Sequence, residues 1–208
     1  KSDNAAAAAN IDVTIIEAGP RLLPSFSEKL SLRTKKDLEK LGVKVMTNAI
    51  VENVDSRSIN FKNGSNFKSE ITIWAAGVKG EPIINKLSIP IIANRIEVAE
   101  TLQVKNYPWI FAIGDVAAAT GKDGRLLLMV APVAMQQGRF VSQQIVRSIN
   151  NEKLLPFKYI DKGAMATIGR HKAVVELKQL RLSGALAWYA WLWLHLFYLL
   201  GGRNKIAT

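Results

Sequence analysis

Two acids in this 208-residue chain stand where a carboxylate can hold a hydroxyl-rich ligand. Asp115 follows Gly114 at the end of the apolar run Ile110-Phe111-Ala112-Ile113, which reads as a short strand buried on both faces. Glycine permits a backbone turn and a close approach that a Cβ would block. A carboxylate at the end of a core strand, where open α/β sheets place their ligands, accepts hydrogen bonds from sugar or polyol hydroxyls. An Asx-turn closing a strand would leave the same residues. Glu17 ends a second β-branched run, Ile11 to Ile16. In a dinucleotide-binding βαβ unit, a carboxylate there holds the adenosine ribose diol and repels a 2′-phosphate. Arg21, four residues on, pulls the other way, and an acid that merely ends a strand is the alternative reading.

Two more stretches carry candidate chemistry. Ile71 to Trp74 reads as a buried strand closing on Ala75-Ala76-Gly77, where small residues let a backbone come close to a ligand or pack tightly in a sheet. Ala131-Pro132-Val133-Ala134-Met135-Gln136-Gln137-Gly138 opens a helix, with Pro132 suited to its first turn. A helix start presents unpaired N–H groups and partial positive charge, which favour an anionic ligand edge; an ordinary amphipathic helix with exposed glutamines would look alike. The chain has no cysteine, so it holds no disulfide, thiolate metal site or redox pair. Its two histidines, His171 and His195, are too far apart in sequence to suggest a metal site, and no catalytic acid–base dyad or nucleophile is visible.

The elements that position these residues follow from periodicity. Ser25 and Glu28 suggest a capping box before a helix marked by Leu30, Thr34, Leu38 and Leu41 and stopped by Gly42. Val43–Met46, Ile50–Val54 and Ile59–Phe61 read as short strands, with a hairpin turn at Asn63-Gly64. Val133, Phe140, Val141 and Ile145 mark the buried side of the helix from Ala131, and residues 157–175 alternate like short strands.

Charge and tryptophan concentrate at the end. Residues 1–150 carry 19 Lys/Arg against 14 Asp/Glu, and residues 151–208 carry 9 against 3. Such an excess points to nucleic acid or anionic lipid. Trp188, Trp191 and Trp193 lie in the same basic tail, which favours a membrane surface, and no nucleic-acid recognition motif accompanies the charge. The uncharged core, residues 185–200, would reach roughly 24 Å as a helix, short of ~30 Å of bilayer hydrocarbon. It reads as a helix lying at the interface or docked in a hydrophobic groove, with a buried core helix as the alternative.

Phe111-Ala112-Ile113-Gly114-Asp115 resembles the second flavin-binding motif of two-dinucleotide-domain, pyridine-nucleotide-dependent flavoproteins, and Trp74-Ala75-Ala76-Gly77 resembles the segment closing their nicotinamide-binding domain. Ala-x-x-Ala-x-Gln-Gln-Gly after the aspartate is similar to one branch, the type II NADH dehydrogenases, single-subunit FAD-dependent NADH:quinone oxidoreductases. The Trp-rich tail and its Gly201-Gly202-Arg203-Asn204 ending are similar to their membrane-attachment segment.

The resemblance implies a partial two-dinucleotide-binding (Rossmann-like) α/β fold with β-meanders and a C-terminal membrane-associating helix. It divides the chain into part of an NAD(H)-binding domain (1–80), part of an FAD-binding domain (81–155) and a membrane-association region (156–208) packing on the flavin domain. Gly114, Asp115 and Ala134 would contact FAD, and Glu17, Ala76 and Gly77 would line the NADH site. Gln136 and Gln137 would border a membrane quinone, although many members carry a further glutamine where this chain has Pro132. Trp188, Trp191 and Trp193 would meet lipid at the cytoplasmic face of a membrane, and the family leaves room for a homodimer. No Gly-x-Gly-x-x-Gly loop occurs in the chain, so alone it is expected to bind neither cofactor tightly. The rival readings are a related FAD/NAD(P)H reductase of a soluble acceptor and a non-enzymatic basic membrane-binding module.

Overall fold

The β-branched runs, the two amphipathic stretches and the aromatic tail each form an element of the computed structural model, which describes residues 11–78, 80 and 82–199. Contacts divide the chain into two units, Lys1–Ile73 with Lys162–Thr208, and Trp74–Asp161.

In the first unit, strand β1 (Thr14–Ile16) pairs parallel with β2 (Lys44–Met46), Ile15 opposite Val45. Helix α1 (Glu28–Glu39) connects them, and Gly42 at φ +84° follows its end. The expected capping box does not form. Ser27, not Ser25, is the N-cap, and its N–H donates 2.6 Å to the Glu176 carboxylate instead. A meander of β3 (Val51–Val54), β4 (Ser58–Phe61) and β5 (Asn66–Lys68) turns at Asn63-Gly64, with Gly64 at φ +83°.

The rest of this unit is an antiparallel sheet of β11 (Ala164–Gly169), β12 (Lys172–Glu176) and β13 (Arg181–Gly184), followed by the aromatic helix α3 (Ala185–Leu199), which comes after α2 of the second unit. Alternation along β12 explains the layering, because successive side chains face opposite sides. Val174 packs with Phe26 and Leu30 beside α1, while Ala173 and Val175 pack with Ala187, Trp188 and Trp191 of α3. All three central residues of β12 are buried. A helix thus covers each face of the sheet.

In the second unit, β7 (Arg95–Glu97) lies between β6 (Ile91–Ile92), antiparallel, and β10 (Ala117–Ala118), parallel. Strands β8 (Gln103–Val104) and β9 (Tyr107–Phe111) form a hairpin whose turn holds Asn106 at φ +68°. Ile84, Ile96, Val104, Ala112 and Ala117 make one core; Leu102, Ala119 and Val141 of helix α2 (Ala131–Ile149) make a second.

Two expected core strands differ from expectation. Ile71–Trp74 forms no strand, and Ile71, Ile73 and Trp74 are exposed at 82%, 84% and 64%. Ile110 and Ile113 are also exposed, and only Ala112 of that run is buried. A strand is buried on both faces only when neighbours flank it and helices cover it. Among the described residues nothing pairs with 71–74, and β9 has only β8 beside it. Among the described residues no helix is long and apolar enough to cross a membrane. Leu200 and the Gly-Gly-Arg-Asn ending lie outside them.

Candidate functional site

Strand β9 runs into a single 3-10 turn, Gly114–Val116, which leads to β10. Gly114 adopts φ +72°, a conformation that side chains resist. The turn lies against the first turns of α2. A Cβ on Gly114 would sit 3.5 Å from the Ala134 Cβ, and one on Gly138 would sit 3.8 Å from Ile113 Cδ1. Small residues at 114, 134 and 138 therefore let the turn and the helix approach.

A glutamine closes that approach. Gln137 Oε1 accepts the Gly114 N–H at 2.6 Å, and Gln137 is 1% exposed. Its Nε2 is buried with no partner among the described residues. Asp115 is exposed on the same turn, and its carboxylate is free of hydrogen bonds and ion pairs among the described residues. The structure thus brings together Gly114, Asp115, Ala134 and Gln137. These residues fit a flavin: a free carboxylate for polyol hydroxyls beside the positive end of a helix dipole.

Gln136 points elsewhere. Its Nε2 donates to the Ile160 carbonyl at 2.9 Å and its Oε1 accepts the Ile160 N–H at 3.0 Å. Two turns further along the helix, on its buried face, Gln144 Oε1 accepts the Leu155 N–H at 2.8 Å. The glutamines therefore hold the flavin-motif turn and the segment after the helix. The sequence reading has Gln136 and Gln137 as exposed or ligand-facing groups and makes no assignment for Gln144. The signal that could have found them is the spacing of Val133, Gln137, Val141 and Gln144, one continuous stripe on a helix. Beside Ile160, burial and then the Asp161 carboxylate push the Tyr159 phenol above its ordinary 10.0.

Glu17 lies at the end of β1, where its Oε1 accepts the Gly19 N–H at 2.7 Å. That bond leaves the second carboxylate oxygen for a diol. Arg21 is committed to carbonyls instead, reaching Phe26 O at 2.6 Å and Pro24 O at 2.9 Å. Ala76 and Gly77 belong to the other unit, on an exposed segment where Gly77 takes φ +81° and the Ala76 carbonyl accepts Trp74 Nε1–H at 2.8 Å.

Helix α3 divides the three tail tryptophans. Trp188 and Trp191 are half-buried against the sheet, while Trp193 is 69% exposed and stacks on Phe197. Leu186, Tyr189, Trp193, Leu196 and Phe197 are all exposed, at spacings that put them on one stripe. His195 Nδ1–H donates to the Trp191 carbonyl and the ring stacks on that of Trp191, a local role. Among the described residues no group of His, Asp or Glu could hold a metal ion.

Comparison with known proteins gives these features a context. The family described as pyridine nucleotide-disulphide oxidoreductase matches residues 3–138. The type II NADH:quinone oxidoreductase Ndh of Mycobacterium tuberculosis is 35% identical, over 94% of this chain and 44% of that protein. The mitochondrial internal alternative NAD(P)H-ubiquinone oxidoreductase A1 of Solanum tuberosum is 31% identical, over 94% of this chain and 43% of its own length. The structure of NDH2 from Plasmodium falciparum in complex with NADH superposes with a TM-score of 0.80 at 22% identity, covering 94% of this chain and 56% of that one. At that identity the likeness is one of fold, and it bears out the expected α/β dinucleotide-binding architecture. The chain spans less than half the length of the relatives it matches.

Proposed function

This chain belongs to the pyridine nucleotide-disulphide oxidoreductase family, and on that premise we propose that it is part of a type II NADH:quinone oxidoreductase, peripheral to the cytoplasmic face of a membrane. The observation that carries this reading is the turn Gly114-Asp115, held against the start of α2 by Gln137 and Ala134. The names of the relatives at 31–36% identity favour the same activity. FAD, held by these residues, would supply the two-electron chemistry between NADH and a quinone.

The protein's own residues bind and orient. Asp115 would accept hydrogen bonds from the ribityl hydroxyls of FAD, and Gly114 and Ala134, by letting the turn close on the helix, would set its position. The positive end of the α2 dipole would favour negative charge on the ring, through the helix field more than through free N–H groups, since the Val133 and Ala134 amides bond to the Val130 carbonyl. Glu17, oriented by the Gly19 amide, holds the adenosine ribose of NADH and disfavours a 2′-phosphate. Arg21 spends N–H groups of both terminal nitrogens on the Phe26 and Pro24 carbonyls, which leaves it less able to grip that phosphate and supports NADH over NADPH. Ala76 and Gly77 line the nicotinamide side. Gln136 would border the quinone, whereas Gln137, 1% exposed, would act there only through the turn it holds. The exposed stripe of α3, with Trp193 at its centre, meets lipid, and Trp188 and Trp191 brace it from the sheet side.

The test is Asp115→Ala in the complete protein. Flavin absorbance per mole of protein is expected to fall well below that of the parent, and NADH:quinone turnover with it. A D115A protein that stays yellow with stoichiometric flavin would overturn the reading. Comparing quinone with soluble-acceptor reduction in the parent separates this proposal from a reductase of a soluble partner.

A further inference from the structure

A buried glutamine with half its amide unused calls for an explanation. Gln137 is 1% exposed; its Oε1 takes the Gly114 N–H, and its Nε2 has no partner among the described residues. An unmet buried donor costs stability. Leucine, of similar size, would fill the same place on the Val133–Val141 face without that cost. Packing alone therefore does not account for the residue.

The Gly114 amide does account for it. Gly114 stands at φ +72° immediately before Asp115, so the direction of that carboxylate is set by how this one peptide is held. Backbone-to-backbone bonding cannot hold it, because Gly114 leaves β9 and faces a helix whose own carbonyls are engaged within the helix. A side-chain acceptor reaching from the helix is what remains. Because Nε2 is enclosed, Gln137 acts through the backbone of the turn and not on a ligand directly.

We propose that Gln137 is a positioning residue: its amide oxygen fixes the Gly114 peptide and so aims Asp115 at the flavin, at some expense to the stability of the fold. This rests on the flavin reading above. It assigns Gln137 a role distinct from contact with a quinone.

Two variants of the complete protein separate the possibilities. Q137L removes the acceptor and also the unmet donor, so its Tm is expected to stay within about 4 °C of the parent. Its flavin dissociation constant is expected to rise about tenfold, the worth of one buried hydrogen bond. Amide hydrogen exchange at Gly114 should quicken by at least as much. Q137E keeps an acceptor, because burial favours the neutral acid with its carbonyl oxygen intact, and it is expected to restore Gly114 protection and flavin affinity to within about threefold.

Flavin binding by Q137L equal to the parent's would overturn the proposal. So would a Q137E protein that loses flavin as badly as Q137L. Should Q137L fail to fold, fast Gly114 exchange in the parent itself would decide against it, and slow exchange with retained flavin in Q137E would decide for it. A parent that carries no flavin at all would instead remove the underlying functional reading.

Discussion

Gln136 and Ile160 bond to each other twice, the side-chain amide of one matching the backbone peptide of the other at 2.9 and 3.0 Å. The pair works as a strand partner would, with a glutamine in place of the second backbone. Gln144 does half of the same for Leu155. From Gln136 to Gln144 the helix rises ~12 Å, and the five residue steps from Leu155 to Ile160 can extend to ~17 Å. The segment can therefore run antiparallel to α2 with both ties made and slack to spare.

Gln136→Ala in the complete protein is expected to lower stability by about 1–2 kcal/mol, as two partly exposed hydrogen bonds are lost. Amide exchange at Ile160 should quicken, while that at Leu155, held by Gln144, should change little. If the quinone reading is right, KM for quinone rises as well. Unchanged exchange at Ile160 would show that the pairing does not form in solution.

Much of this was legible in the residues and some was not. Helices α1, α2 and α3 and the meander announced themselves through periodicity and turn glycines, because those signals are local. The Gly114-Asp115 turn was legible for the same reason. Burial was the weaker inference. Ile71–Trp74 has a core strand's composition, but burial depends on partners a sequence window does not contain, and those residues are exposed. The pairing of Ser27 with Glu176 joins residues 149 apart, so no local pattern could give it. Nor could local pattern show that the C-terminal sheet would pack on α1, since that contact is between Leu30 and Val174.

Glu176 makes a pH prediction. Its carboxylate accepts the Ser27 N–H at 2.6 Å and Arg181 Nε–H at 2.6 Å. The Ser27 amide first, and Arg181 after it, hold the carboxyl below its ordinary 4.5. A carboxyl that is more acidic folded than unfolded contributes stability above the unfolded value and loses it as pH falls through 4.5 and on through the folded value. Unfolding midpoints measured from pH 7 down to about pH 3 should therefore drop less steeply at the acid end for Glu176→Gln than for the parent. Identical acid limbs would remove Glu176 from the account.

Gly163 and Gly124 make a matched pair for backbone strain. Both have positive φ, +96° and +74°. A Cβ on Gly124 meets nothing within 4 Å, whereas one on Gly163 would lie 2.2 Å from the Glu176 carbonyl oxygen. Gly124→Ala should cost about 1 kcal/mol, from the left-handed conformation alone. Gly163→Ala should cost at least about 2 kcal/mol more, because β12 must shift. Equal denaturation midpoints for the two variants would mean that the strand approaches Gly163 less closely than described.

The tail offers two separable contributions to lipid binding. Leu186, Tyr189, Trp193, Leu196 and Phe197 present an exposed apolar stripe, and no acid follows Glu176 in the sequence. At the β11–β12 turn, His171 packs on the Trp188 ring at 4.7 Å, so the basic tip Arg170-His171-Lys172 stands beside the aromatic helix. Arg170 and Lys172 form no ion pair among the described residues. Apolar burial does not depend on headgroup charge, whereas cations near an anionic surface add about 1 kcal/mol each and lose it in salt. In flotation with zwitterionic and anionic vesicles, Trp193→Ser with Phe197→Ser should weaken binding of the complete protein to both, by at least about tenfold. Arg170→Gln with Lys172→Gln should leave zwitterionic binding intact and weaken the anionic preference by about thirtyfold at low salt. If W193S/F197S floats as the parent does, α3 is not the element that meets lipid; if R170Q/K172Q keeps the full anionic preference, the basic tip lies away from the headgroups.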